Sequence, residues 1–288
     1  MGTCSGIMGG MTALGAVLGL ICLGFFLPTE DCYLLYAAAI LFSTPLTWWA
    51  AQEVPLEAPE DNLTGAWNWT EIAKAYYISE RTHGDFYWIF VSRTFYYMAV
   101  SAQIYILYYL RDTIPDPKIS NNAKSYTAIL CILSQGASGL VSLTGSSVAG
   151  LIGRKNAIYI ACTVMAGVYV GYCFAHEWNY IVLLGVCYGA GNGIYISVDY
   201  ALAVECLPNA EKESAKDLAL WGIAAFMGTM FGPCLCGPAL YFFGHEDNST
   251  HYAFPGYVAI MLIAVVYSFG CALALVKVSK GNAGQNPA

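Results

Sequence analysis

Read as hydrophobic and polar positions, the chain is a series of long, charge-poor apolar windows separated by short polar joints. A transmembrane helix needs about 20 mostly apolar residues. Windows of that length cover residues 5–29, 32–52, 86–110, 125–153, 156–175, 178–204, 218–244 and 252–276. Only Arg93 interrupts the third window, and only Asp199 the sixth. The joints carry turn residues, as in Pro28-Thr29-Glu30-Asp31, the stretch from Arg111 to Pro117, and Leu207-Pro208-Asn209. The pattern predicts an all-α integral membrane protein of about eight spans. The first window lacks the basic leader of a cleavable signal peptide. The opening Met1-Gly2-Thr3-Cys4-Ser5-Gly6 has Gly6 where a myristoylation signal needs Ser or Thr, so it reads as a helix end.

Composition agrees with the pattern. Of 288 residues, 58% are apolar and 11% charged, where ordinary soluble domains carry about 25% charged residues. So few charges suit a surface that faces lipid. The net charge of −7 gives no basic footprint for nucleic acid. The eleven cysteines sit mostly inside apolar runs, where Cys behaves as a small hydrophobe. Cys32 and Cys173 fall near one predicted membrane face, leaving a disulfide between them as an alternative.

The segment 53–85 differs, holding seven of the nineteen acidic residues, and cannot lie in lipid. Residues 70–79 within it suit a surface helix. With eight spans both termini share a side. Loops on that side carry Lys74, Arg81, Arg154, Lys155, Lys212, Lys216, Lys277 and Lys280; the opposite side carries Arg111, Lys118 and Lys124. Lys and Arg set orientation, so the termini and the acidic segment are expected in the cytoplasm. Of three glycosylation sequons, Asn62 and Asn68 then lie inside, and only Asn248 lies where glycosylation is possible.

Arg93 and Asp199 each lie roughly 10 Å deep, counted at 1.5 Å per residue from the cytoplasmic helix ends. A charge at that depth costs several kcal/mol unless paired or hydrated, which makes each a functional candidate. A mutual pair is one expectation; a purely structural lock or a snorkelling Arg93 are the alternatives. Tyr188, Asn192, Tyr195 and Asp199 share one helix face, as do Arg93, Tyr97, Ser101 and Tyr105. Such stripes of rings, hydroxyls and amides suit a path for a sugar-like solute, which has apolar ring faces and hydroxyl edges. They equally suit helix–helix packing. Glycines four apart at Gly6/Gly10, Gly15/Gly19, Gly185/Gly189 and Gly228/Gly232 predict close helix contacts. Gly232-Pro233 and Gly237-Pro238 predict a bend or break in the seventh span.

No enzyme chemistry emerges. The spans contain no His, and Gly189-Ala190-Gly191-Asn192-Gly193 lies inside a span, so it is no phosphate cradle. His245, Glu246, Asp247 and His251 gain no further His or Cys, and read as a solvated loop rather than a metal site. No cofactor or metal is expected.

Gly153-Arg154-Lys155, in the short loop after the fourth span, resembles the end of the loop signature G-x-x-x-D-R-x-G-R-K of the major facilitator superfamily. Ser146, Gly150 and Leu151 stand where that signature has its first Gly, its Asp and its first Arg. Leu107-Tyr108-Tyr109-Leu110-Arg111-Asp112, the run from Ser197 to Ala203, Leu207-Pro208 and Ala215-Lys216-Asp217 are similar to the sugar–cation symporter branch, with its glycoside–pentoside–hexuronide and sucrose-type carriers. The resemblance implies twelve spans in two six-helix bundles joined by a cytoplasmic loop, of which this chain matches the last eight. Residues 1–53 then form the last two helices of an incomplete N-terminal bundle, 54–85 the central loop, 86–280 the C-terminal six-helix bundle and 281–288 a cytoplasmic tail. Arg93 and Asp199 fall in family helices seven and ten, which line the central cavity and are equivalent members of inverted repeats. The implied function is secondary active transport of a small polar solute, a sugar, with protons, by alternating access. Because four spans are unmatched, the alternatives are a fragment, a chain completed by a partner, or a subunit that no longer transports.

Overall fold

The computed structural model describes residues 2–26, 28–50, 80, 83–207, 214–246 and 250–279. The expected surface helix at 70–79, the sequons Asn62, Asn68 and Asn248, most of the acidic segment and the tail lie outside these residues. No strand occurs among the described residues. In hydrocarbon each backbone N–H and C=O must be satisfied within its own segment, and only the helix does that for a single span.

Helix α1 is Gly2–Ile21, continued by a π turn at Cys22–Phe26, and α2 is Thr29–Ala50. Helix α3, Gly84–Val100, passes through a 3-10 turn, Ser101–Tyr105, into α4, Ile106–Thr113. A short α5, Pro117–Asn121, leads to α6, Ala123–Ile152. Then come α7, Arg154–Tyr172; α8, Trp178–Glu205; α9, Ser214–Gly244; and α10, Phe254–Val276. These elements form rods along each of the eight predicted windows. By length and apolarity, five helical stretches among the described residues suffice to cross a membrane: Glu30–Ala50, Ala123–Gly145, Trp178–Glu205, Asp217–Gly244 and Phe254–Val276. The 3-10 turn interrupts the third rod. It falls beside Gly232 of α9, where a Cβ would overlap the Met98 carbonyl and the Ser101 side chain, whose hydroxyl donates back to Met98 at 2.6 Å.

Polar contacts sort the helix ends into two groups, as alternating passes require. At one end Asp85, the Gly153 turn, Glu205 and residues 277–279 come together. At the other, Arg111 and Asp112 meet residues 250–257, and the Tyr109 hydroxyl shares its proton between the carbonyls of Tyr172 (2.9 Å) and Ala175 (2.6 Å). The core between the ends is rich in tyrosine; Tyr96, Tyr109, Tyr169, Tyr172, Tyr195 and Tyr257 are fully buried.

Small residues set the helix spacing. A Cβ at Gly189 or Gly193 of α8 would overlap the backbone of Ser134 or Ser138 in α6. Gly228 and Gly232 of α9 meet α3 in the same way, as their spacing predicts. Gly15 and Gly19 differ, since nothing lies within 4 Å of a Cβ built there. Helix α1 packs instead through Gly9, Gly10 and Ala13 onto Ser142, Leu143 and Gly139 of α6, and onto Ile196 of α8. Helix α2 buries none of its span. Its Ser43, Thr44 and Thr47 hydroxyls bond back to its own carbonyls, which satisfies them within the helix.

One expectation needs correction: the seventh span is not broken at its prolines, and helix α9 runs through Pro233 and Pro238. Each proline deletes one N–H donor, and close packing of glycine faces on α3 holds the rod together around the gaps. The Cys32 and Cys173 thiols are free, so no disulfide joins them.

Asp112 anchors the second end. Its carboxylate accepts from Arg111 Nε at 2.6 Å, the Tyr252 amide at 3.1 Å and the Tyr257 hydroxyl at 2.5 Å, and lies 2.7 Å from His251 Nδ1. Burial alone would raise its pKa, but Arg111, Tyr257, the Tyr252 amide and His251 outweigh it and hold the value at about 2. The folded value is below the ordinary value of about 3.9. The stabilisation is therefore full above pH about 4 and disappears as pH falls through about 2. Melting temperature should drop across that window, and Asp112→Asn should shrink the drop. A Gly189→Ala variant should lose about 1–3 kcal/mol from forced overlap, read as a lower melting temperature in detergent. Gly15→Ala should melt within error of the parent.

Candidate functional site

The deep charges meet. Arg93, on α3, forms an ion pair with Asp199, on α8, through Nη1 and Oδ2. Arg93 is 7% exposed and Asp199 4%, so the pair is sequestered from water. Two rings hold the guanidinium: Trp221 of α9, with its ring centroid 3.4 Å from Cζ, and Tyr97 at 4.9 Å. Arg93 Nη2 also donates to the Tyr97 hydroxyl at 3.4 Å. Trp221 stands edge-on to Tyr200, the residue after Asp199. Arg93 Nε and Trp221 Nε1 have no hydrogen-bond partner among the described residues.

A second polar layer lies further along α8. Tyr195 stacks flat on Tyr96, with centroids 3.3 Å apart and planes within 3°. The Tyr96 hydroxyl donates to Asn192 Oδ1 at 2.5 Å, and Asn192 Nδ2 donates to the Ser138 hydroxyl at 2.9 Å. Beyond it a cavity of about 130 Å³ is lined by Gln103, Ser134, Gln135, Tyr188 and Asn192 with apolar neighbours. The Gln103 and Tyr188 side chains both reach the Tyr169 hydroxyl. The nearby Tyr169 hydroxyl gives its proton to the Ala99 carbonyl at 2.6 Å. A larger cavity of about 480 Å³ between α1 and α6 is almost wholly aliphatic and offers a polar solute nothing but Gln135.

The sixth-span stripe of Tyr188, Asn192, Tyr195 and Asp199 is thus one buried polar ladder. The third-span stripe divides. Arg93 joins the pair, while Tyr97, Ser101 and Tyr105 face Gly228, Gly232 and Gly237 of α9, with the Tyr105 hydroxyl 3.5 Å from a Cβ built on Gly237. These three side chains occupy the seam between two helices. Sequence reasoning missed Tyr96, Ser138, Gln103 and Trp221. Tyr96 left a trace in the aromatic run Phe95-Tyr96-Tyr97; nothing in one helix's periodicity tells which residue of another helix it meets.

The loop triplet has concrete roles. Gly153 has φ 91° and ψ 139°, which a side chain would strain, and it separates α6 from α7. Arg154 Nη1 donates to the Ala201 carbonyl at 3.0 Å and pairs with Glu205, tying the loop to the end of α8. Lys155, 8% exposed, donates to the Val278 carbonyl at 2.6 Å. His251, weighed earlier beside His245 as a metal candidate, instead sits on Asp112.

A helical bundle with membrane-length apolar rods and a buried, ring-clamped ion pair between them defines a multi-pass integral membrane protein. Residues 89–288 match the model of the Major Facilitator Superfamily. The chain belongs to that family, whose members are secondary transporters rather than enzymes.

Breaking a buried pair on one side strands a charge and costs about 3–5 kcal/mol. Arg93→Met and Asp199→Leu should each lower the melting temperature sharply in detergent. The double variant should melt closer to the parent than either single one, because no lone charge remains.

Proposed function

We propose that this chain supplies the C-terminal six-helix bundle (86–280), the central loop (54–85) and the last two helices of the N-terminal bundle (1–53) of a sugar–proton symporter. It works by alternating access, with both termini and the 281–288 tail in the cytoplasm. The observation that carries the reading is the Arg93–Asp199 pair, sealed from water and held by Trp221 and Tyr97. Protonating Asp199 leaves Arg93 charged and unbalanced. That favours the conformation in which water reaches the guanidinium, and proton binding thereby biases a two-state equilibrium. Tyr188, Asn192, Tyr195 and the 130 Å³ cavity supply rings, an amide and hydroxyls for a hydroxylated solute. The excess of Lys and Arg on one set of loops supports the cytoplasmic assignment, and puts Asn248 on the glycosylated side.

A second reading takes the chain as a membrane subunit that needs a partner chain to complete its wall. It is favoured by α2, which buries none of its span. Co-purification of a stoichiometric membrane partner, with no solute flux by the lone chain, is its expected outcome.

The symport reading is tested in proteoliposomes with an imposed proton gradient and a labelled disaccharide. Parent protein, in its full native length, should accumulate label. Asp199→Asn should reduce accumulation about tenfold or more while retaining exchange of label without a gradient. Undiminished gradient-driven accumulation by Asp199→Asn rules the coupling role out.

A further inference from the structure

Three consecutive residues after α10 are each held by a different partner. Lys277 Nζ lies 6.0 Å from the centroid of the Trp88 ring on α3. The Val278 carbonyl accepts from the buried Lys155 at the start of α7, and Val278 itself is 1% exposed. Ser279 gives both its donors to one carboxylate: its amide to Asp85 Oδ1 at 2.7 Å and its hydroxyl to Asp85 Oδ2 at 2.6 Å. The clasp joins the ends of α3, α7 and α10. Its outermost member, Ser279, is exposed to solvent and flanked in sequence by Lys277 and Lys280.

We propose that Ser279 is a phosphorylation site and that its phosphate opens this clasp. A serine kinase transfers the γ-phosphoryl group of MgATP to Ser279 Oγ. The bond between the γ-phosphorus and its bridging oxygen breaks, the Oγ–P bond forms, the hydroxyl proton passes to the kinase's base, and ADP leaves. The exposed hydroxyl admits a kinase, and lysines on both sides suit one that reads basic substrates. The modification exchanges an O–H donor for a group of charge about −1.5 to −2 at pH 7. Asp85 is acceptor-only when ionised, so it has nothing to offer such a group but repulsion. One hydrogen bond is deleted outright, and the amide bond beside it is pushed away. The Lys277 ammonium, 6.0 Å from the Trp88 ring centroid, can turn to the phosphate. Lys155 keeps hold of Val278, so the release is confined to the last turn and the start of α3. The proposal borrows from the transporter reading only the cytoplasmic location of this end. The kinase reaction in detergent reaches both ends and does not depend on it.

The test treats the full chain in detergent with the catalytic subunit of a basic-directed serine kinase and MgATP. Phosphate is mapped by mass spectrometry, and hydrogen exchange is followed at residues 274–279 and 84–89. Ser279→Ala is the unmodified control, and Asp85→Asn tests the acceptor. Phosphate on Ser279 is expected, with exchange of the Ser279 amide at least about tenfold faster, the scale of one hydrogen bond to a charged group. Asp85→Asn without phosphate should show part of the same acceleration. No phosphate on Ser279 in the folded chain, or phosphate with unchanged exchange at both segments, overturns the proposal. A chain that shows no sugar flux leaves either result intact.

Discussion

The arginine and aspartate paired deep in the apolar interior, Arg93 and Asp199, constrain the rest of this molecule. Neither tolerates hydrocarbon alone, so the helices carrying them, α3 and α8, must be adjacent and held in one register. The rings of Trp221 and Tyr97 then fill the space a water would otherwise take, and Trp221 brings α9 to the same point. Close approach of α9 to α3 needs bare backbone, which Gly228 and Gly232 supply, and close approach of α8 to α6 needs Gly189 and Gly193. The polar centre and the glycine seams therefore form one arrangement: the charges fix which helices meet, and the glycines let them meet closely.

The two ends of the bundle are tied in different ways. At one end a single carboxylate, Asp112, gathers a guanidinium, an amide, a phenol and an imidazole. At the other end Arg154 grips the end of α8, while Lys155 and Asp85 grip Val278 and Ser279, with Gly153 providing the turn that sets the two cations in place. Each of these ties has an ionisable donor or acceptor, and hydrogen bonds with an ionised partner are stronger than neutral ones. The short loop Gly153-Arg154-Lys155 acts as a set of hydrogen-bond donors for the ends of α8 and α10.

Much of this was legible in the chain, because hydrocarbon enforces simple rules. Apolar windows gave the rods, and charges inside them singled out Arg93 and Asp199, with a mutual pair as one of the expectations. Glycines four apart marked the α8 and α9 seams correctly, but the same spacing at Gly15 and Gly19 faces open space, since small residues permit contact without requiring it. The proline pairs in α9 suggested a bend or break, yet the helix is not broken there, while the 3-10 turn from Ser101 carries neither Gly nor Pro, so nothing in its own residues marked it. Tyr96, Ser138 and Trp221 were invisible for a related reason: periodicity reports a face, and only the assembled bundle reports what that face touches.

The central claim is that Asp199 is the proton carrier, ionised while paired with Arg93 and protonated when the pair opens. Difference infrared spectroscopy with labelled aspartate, on reconstituted native-length protein with and without solute, reads that protonation directly. The account predicts a carboxylate signal that converts to a protonated carboxyl signal on solute addition at mildly acidic pH, and that vanishes in Asp199→Asn. A conversion that persists in Asp199→Asn, or an Asp199 that stays ionised throughout, would contradict it.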